Sequence, residues 1–198
     1  MGTQWGRCLQ AEKDDDKMIN VDELFIKHYS HPSCAPFKNI CRLQKEEAFA
    51  LAHDLSVKNP ESPYLARFSV DNFDSYYSRR LEVDKLLYSS FISLGGKPKE
   101  KHLIFFVLHH SATLEEWVGK WDVVGKLKLA DIPSKFISFT LDDSMVSFKQ
   151  NNKLTMYTKE TLFHILYEYN TIEDFLVEIT KNHYCIEAQL WNDDYCAL

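Results

Sequence analysis

The sequence predicts an α+β fold: a mixed, largely antiparallel sheet packed against several helices, one of them long and central. Three observations lead there. Helical and strand-like segments are interleaved without a strict βαβα rhythm. The later strand-like segments follow one another too closely to hold a crossover helix, which calls for antiparallel pairing. One stretch, from about Phe73 to Leu94, carries a long helical apolar face of Phe73, Tyr77, Val83, Leu87, Phe91 and Leu94, widened by Leu86 and ended by Gly95-Gly96.

The elements follow in order. Residues 1–17 resemble an expression leader, with Asp14-Asp15-Asp16-Lys17 close to a protease-recognition sequence; a natural extension is the alternative. A single globular domain is expected over residues 18–198. Val21, Leu24 and Phe25 share one helical face, so a first helix is expected over Ile19 to Tyr29. Pro32 and Pro36 stop it. Gln44 to Val57 reads as an amphipathic helix with Ala48, Leu51, Ala52 and Leu55 as its stripe, and Glu46 and Glu47 suit its N-terminus.

After the turn at Pro60 and Pro63, Tyr64 to Ser69 alternates like a strand. The long helix follows. His102 to His109 holds the unbroken apolar run of a strand buried on both faces. Thr113 with Glu116 gives a capping-box pattern for a short helix through Trp117. Val123 to Leu129 and Phe136 to Leu141 read as strands, and Asp142-Asp143-Ser144 as a turn. Helices are expected to open at Thr158 and at Thr171. Tyr184 to Trp191 reads as the last strand, in which Ile186, Ala188 and Leu190 alternate with Cys185, Glu187, Gln189 and Trp191.

Composition narrows the function classes. Hydrophobic residues make up 45% of the chain, too many for a disordered one, and a net charge of −6 disfavours nonspecific nucleic-acid binding. Apolar runs fall short of the ~18 residues of a membrane span. The five cysteines are odd in number and widely spaced, with no CxxC pair, which suits a reducing, cytoplasmic setting; a Cys34–Cys41 bridge is the alternative in an oxidising one. No P-loop, GxGxxG, GxSxG or HExxH occurs, so kinase, P-loop, Rossmann and α/β-hydrolase readings are disfavoured. Neither an organic cofactor nor a metal-spaced ligand set is expected.

The candidates for chemistry are then polar residues in structured segments. Arg79 and Glu82 lie i, i+3 on the long helix, where a carboxylate could orient a guanidinium toward an anion; a plain helical ion pair is the alternative. Glu187 and Gln189 share one pleated face with Trp191, which reads as a ligand face or a solvated one. Arg67, Ser138 and Thr140 would join them if their strands adjoin the last. That convergence would otherwise be a polar sheet face satisfying itself. His109 closes the apolar strand, a usual place for a functional side chain. Asp142 and Asp143 read as turn formers before cation ligands.

Two functional expectations result. The first is a small enzyme, transferase or hydrolase, acting on an anionic small molecule. Arg67, Arg79, Ser138, Thr140, Gln189 and Trp191 would bind it, and Glu82, Glu187 or His109 would move protons. The second is a noncatalytic ligand-binding or protein-interaction domain using an aromatic patch of Trp117, Trp121 and Tyr76. A protein partner or homo-oligomer is compatible with either.

Overall fold

The fold is described from a computed structural model covering residues 19–118, 122–151 and 154–196. The leader-like residues 1–17 and Trp121 lie outside the described residues, as does the side chain of Trp117. Six strands form one sheet in the order β3-β1-β2-β6-β4-β5, and every pairing is antiparallel. The strands are β1 (Phe25–Ser30), β2 (Ile104–Leu108), β3 (Asp122–Lys128), β4 (Ile137–Leu141), β5 (Met156–Thr158) and β6 (Ile186–Leu190). The helices are α1 (Lys45–Lys58), α2 (Val70–Ser93), α3 (Ala112–Val118), α4 (Ser144–Asn151), α5 (Lys159–Leu166) and α6 (Ile172–Thr180). Among the described residues no helix is long and apolar enough to cross a membrane.

Pleating sorts the side chains onto two faces. Ile26, Ile104, Phe106, Phe139, Ala188 and Leu190 point to one side, where Leu162 and Leu166 of α5 and Phe175 and Leu176 of α6 cover them. Each fully buried Ile, Leu or Phe among them contributes about 1.5–3 kcal/mol. Thr158 and Thr171 cap these two helices as expected, accepting from the backbone N–H of Thr161 and Asp174. The other face is mostly polar in composition and lies under α2. Val83, Leu87 and Phe91 of α2 pack there with Leu103 and Trp191, whose indole stacks on Phe91 at 5.4 Å. The first half of α2 instead packs on α1, through Phe73, Tyr77, Ala48 and Ala52.

Two local expectations are corrected, and two elements are new. Residues 25–30 are a strand, preceded by a 3₁₀ turn over Val21–Glu23. Ile26, His28 and Ser30 are buried while Phe25, Lys27 and Tyr29 are less so, which is period two and not the helical period. Pairing to β2 and β3 on both sides supplies hydrogen bonds that a short isolated helix could not match. His28 is held neutral there: Nδ1 donates to Phe105 O at 2.7 Å, Nε2 accepts from Phe37 N, and burial lowers its pKa. Leu65–Phe68 is a 3₁₀ turn, not a strand, because Pro60 and Pro63 lead directly into the N-terminus of α2 and leave no neighbouring strand edge. Helix α4 and the three-residue β5 have no counterpart in the sequence reading; both are too short to establish a period. Gly125 is needed for packing, since a Cβ there would lie 2.3 Å from the Phe37 ring.

Candidate functional site

Register places the polar face in rows. Lys27, Val107, Glu187 and Thr140 are cross-strand neighbours over β1, β2, β6 and β4. Phe105, Gln189 and Ser138 form the next row. Over the first row lies a cavity of about 510 Å³. Its walls come from Tyr64 and Arg67 of the 3₁₀ turn, Tyr76, Arg79 and Arg80 of α2, and Asp143, Met145, Val146 and Lys149 at α4. The i, i+3, i+4 spacing of Tyr76, Arg79 and Arg80 puts all three on the side of α2 that meets the cavity.

The charges in this lining are unequal. Lys27, Arg67, Arg79, Arg80 and Lys149 face it, against the carboxyls of Asp143 and Glu187. Two of the cations are already paired: Lys27 with Glu115 at 3.1 Å and Arg80 with Asp84 at 2.7 Å. Arg67 lies 3.5 Å over the Tyr64 ring, and its Nε donates to Tyr64 O. Among the described residues no carboxylate lies within ion-pair distance of Arg67, Arg79 or Lys149. In a chain with 29 acidic and 23 basic residues, three cations around one cavity with no carboxylate at ion-pair distance among the described residues stand out.

Glu187 sits on the floor, 7% exposed. Its Oε1 accepts from Gln189 Nε2 at 2.8 Å and its Oε2 from the backbone N–H of Ser144 at 3.2 Å. Behind it runs an ordered relay of donors. Trp191 Nε1 donates to Ser138 Oγ, Ser138 Oγ donates to Gln189 Oε1, and Gln189 Nε2 donates to both Thr140 Oγ1 and Glu187. The relay fixes the Gln189 amide in one orientation and thereby the carboxyl it serves. Burial and then the negative charge of Asp143 push the Glu187 pKa up to about 7, against the opposing pull of Arg80 and the two hydrogen bonds. Arg80 stays protonated, its pKa raised: burial opposes its charge, but Asp84 and Glu187 outweigh it.

The predicted residues therefore separate into three groups. Arg67, Arg79 and Glu187 line the cavity. Ser138, Thr140, Gln189 and Trp191 are wholly buried under α2 and bonded to one another, supporting Glu187 from behind and not facing the cavity. Glu82 is exposed, outside the lining, and makes no ion pair with Arg79 among the described residues. His109 ends β2 at φ 56°, packs on Phe25 at 4.2 Å, and also lies outside the lining. Its buried Nδ1 finds no partner among the described residues, and burial and the neighbouring His110 lower its pKa. Tyr76 lines the cavity.

Sequence reasoning does not find Arg80, Lys27 or Lys149 as site residues, and it reads Asp143 as a turn former before a cation ligand. Arg80 and Asp84 carry a readable signal, because they stand in the same stripe as Phe73, Tyr77, Leu87 and Phe91 and so have to be a buried pair. Cys41, Asp84 and His102 also come within 4.8 Å of one another. Their chemistry does not suit a cation. Asp84 is filled by Arg80, His102 and Asn39, and burial holds the Cys41 thiol protonated, its pKa pushed up to about 12. Comparison with known family models, with curated proteins and with solved structures finds no match to this chain.

Proposed function

We propose that this protein is a small enzyme, of transferase or hydrolase type, acting on an anionic small molecule in the cavity between α2, α4 and the sheet. Arg67, Arg79 and Lys149 bind the anion. Glu187 is the acid–base group. The observation that carries this reading is the set of three cations with no carboxylate at ion-pair distance among the described residues, placed around a carboxyl whose pKa lies near neutrality. A carboxyl titrating near pH 7 can both give and take a proton under ordinary conditions. Both its oxygens are held by fixed donors, so its position costs no reorganisation during reaction. The volume of about 510 Å³ suits a metabolite-sized ligand.

The test is calorimetric titration of the full chain with nucleotides, sugar phosphates and simple carboxylates, repeated on Arg67→Ala and Arg79→Ala. Arg79 makes no hydrogen bond or ion pair among the described residues, so its loss should change stability by less than about 0.5 kcal/mol. Each variant should weaken anion binding by about tenfold or more, the loss of one charge-assisted contact. Absence of binding by every compound, or affinities unmoved by both variants, removes the reading. Binding without turnover, with Glu187→Gln binding as tightly as the parent, would make the cavity a noncatalytic ligand site.

A further inference from the structure

Resting on that anion-site reading, we infer that the ligand is a phosphorylated sugar or nucleotide: its phosphate lies on Arg67, Arg79 and Lys149, and its sugar hydroxyls are taken by Asp143 and Glu187. The argument starts from what a simple anion site would omit. A pocket for inorganic phosphate or a plain carboxylate gains from cations and loses from every carboxylate facing it. This cavity has two. They are built in, since Ser144, whose N–H holds Glu187 Oε2, directly follows Asp143 in the chain. The backbone step at the start of α4 therefore sets the two carboxyls side by side.

Asp143 is divided between two tasks. Its Oδ1 accepts from the backbone N–H of Met145 at 2.7 Å and of Val146 at 3.3 Å, capping α4. Among the described residues its Oδ2 accepts no hydrogen bond, and the side chain faces the cavity. Closing a ligand over an acceptor without supplying a donor is costly, so the ligand that fits must bring O–H or N–H groups to this place. It must also bring an anion to Arg67, Arg79 and Lys149 in the same cavity. Sugar phosphates and nucleotides have both within one molecule, and both classes are much larger than a bare phosphate ion, matching the size of the cavity. Tyr64, Tyr76, Tyr184 and Phe105 add aromatic wall for the C–H face of a sugar or the face of a base.

The experiment is calorimetric titration of the full chain, parent and Asp143→Asn, with four probes: inorganic phosphate, propyl phosphate, ribose 5-phosphate and adenosine monophosphate. In the parent, ribose 5-phosphate or the nucleotide should bind about tenfold or more tightly than propyl phosphate, the difference made by one well-placed hydroxyl pair. Asparagine still caps a helix, so Asp143→Asn should remain folded, which circular dichroism checks. In that variant the preference should shrink to about twofold or threefold, while propyl phosphate binds unchanged or more tightly, because a repelling charge is gone. A nucleotide binding about tenfold more tightly than ribose 5-phosphate assigns a base contact; equal affinities assign the sugar phosphate alone. Propyl phosphate binding as well as ribose 5-phosphate, or a preference that survives Asp143→Asn, overturns the inference and leaves the anion site standing. If none of the four binds, the inference falls, and the anion site falls with it only when simple carboxylates also fail to bind.

Discussion

Glu187 makes the stability of this protein depend on pH in a direction opposite to that of an ordinary salt-bridged carboxylate. Its pKa rises from 4.5 to about 7 on folding. Between those values the folded protein holds a proton that the unfolded chain has released, so stability falls as pH rises through this window and levels off above it. The full span corresponds to about 3 kcal/mol, since each tenfold change in proton affinity is worth about 1.4 kcal/mol. Most of it, about 2–3 kcal/mol, falls between about pH 5 and about pH 8. The perturbation is Glu187→Gln. Glutamine does not ionise, and it cannot accept from both Gln189 and the Ser144 N–H, so it loses one hydrogen bond worth about 1 kcal/mol at every pH. His28 and His109 have lowered pKa values, and their contribution rises with pH up to the ordinary histidine range; it is common to both proteins and cancels in the difference. Urea unfolding of parent and variant at the two pH values gives that difference directly. The variant should be the less stable protein at about pH 5 and should gain about 2–3 kcal/mol relative to the parent by about pH 8. Equal pH dependence of the two would refute the assignment of a protonated carboxyl beside Asp143.

Two further expectations concern the frame around the site. Asp84→Ala removes the partner of buried Arg80 and the acceptor for His102 and Asn39, and should cost about 3–5 kcal/mol in urea unfolding; a loss below about 1 kcal/mol would mean that Arg80 is not dehydrated. Thr171→Ala removes the cap of α6, where Oγ1 accepts from Asp174 N at 3.0 Å, and should cost about 1 kcal/mol without changing ligand affinity.

The legibility of this protein varies with how far each signal extends along the chain. The period of α2 runs for 24 residues and is readable to within a few residues at either end. The alternation of β6 is equally clear, and it places Glu187, Gln189 and Trp191 on one face. What alternation leaves open is whether that face meets water, a ligand or another element. In the structure Trp191 is under α2, Gln189 is locked between Ser138 and Thr140, and Glu187 alone reaches the cavity. Arg67 reads as a strand residue and is on a turn, yet it reaches the same cavity, because the turn precedes α2 and α2 crosses the sheet. Arg79 draws notice in the sequence for its neighbour Glu82, which makes no ion pair with it among the described residues. Its position on the helix, not that pairing, brings it to the site.

Local sequence, then, was enough to specify the α+β class, the antiparallel habit of the sheet and the long helix, because periodicity, caps and breakers act over a few residues. The meeting of Arg67, Arg79, Lys149, Asp143 and Glu187 depends on the strand order β3-β1-β2-β6-β4-β5 and on the seating of α2 and α4 over its centre. Those contacts join residues from segments far apart in the chain, and packing of the whole core selects them. The same packing removes water from Glu187 and raises its pKa, a property that no stretch of the chain carries by itself.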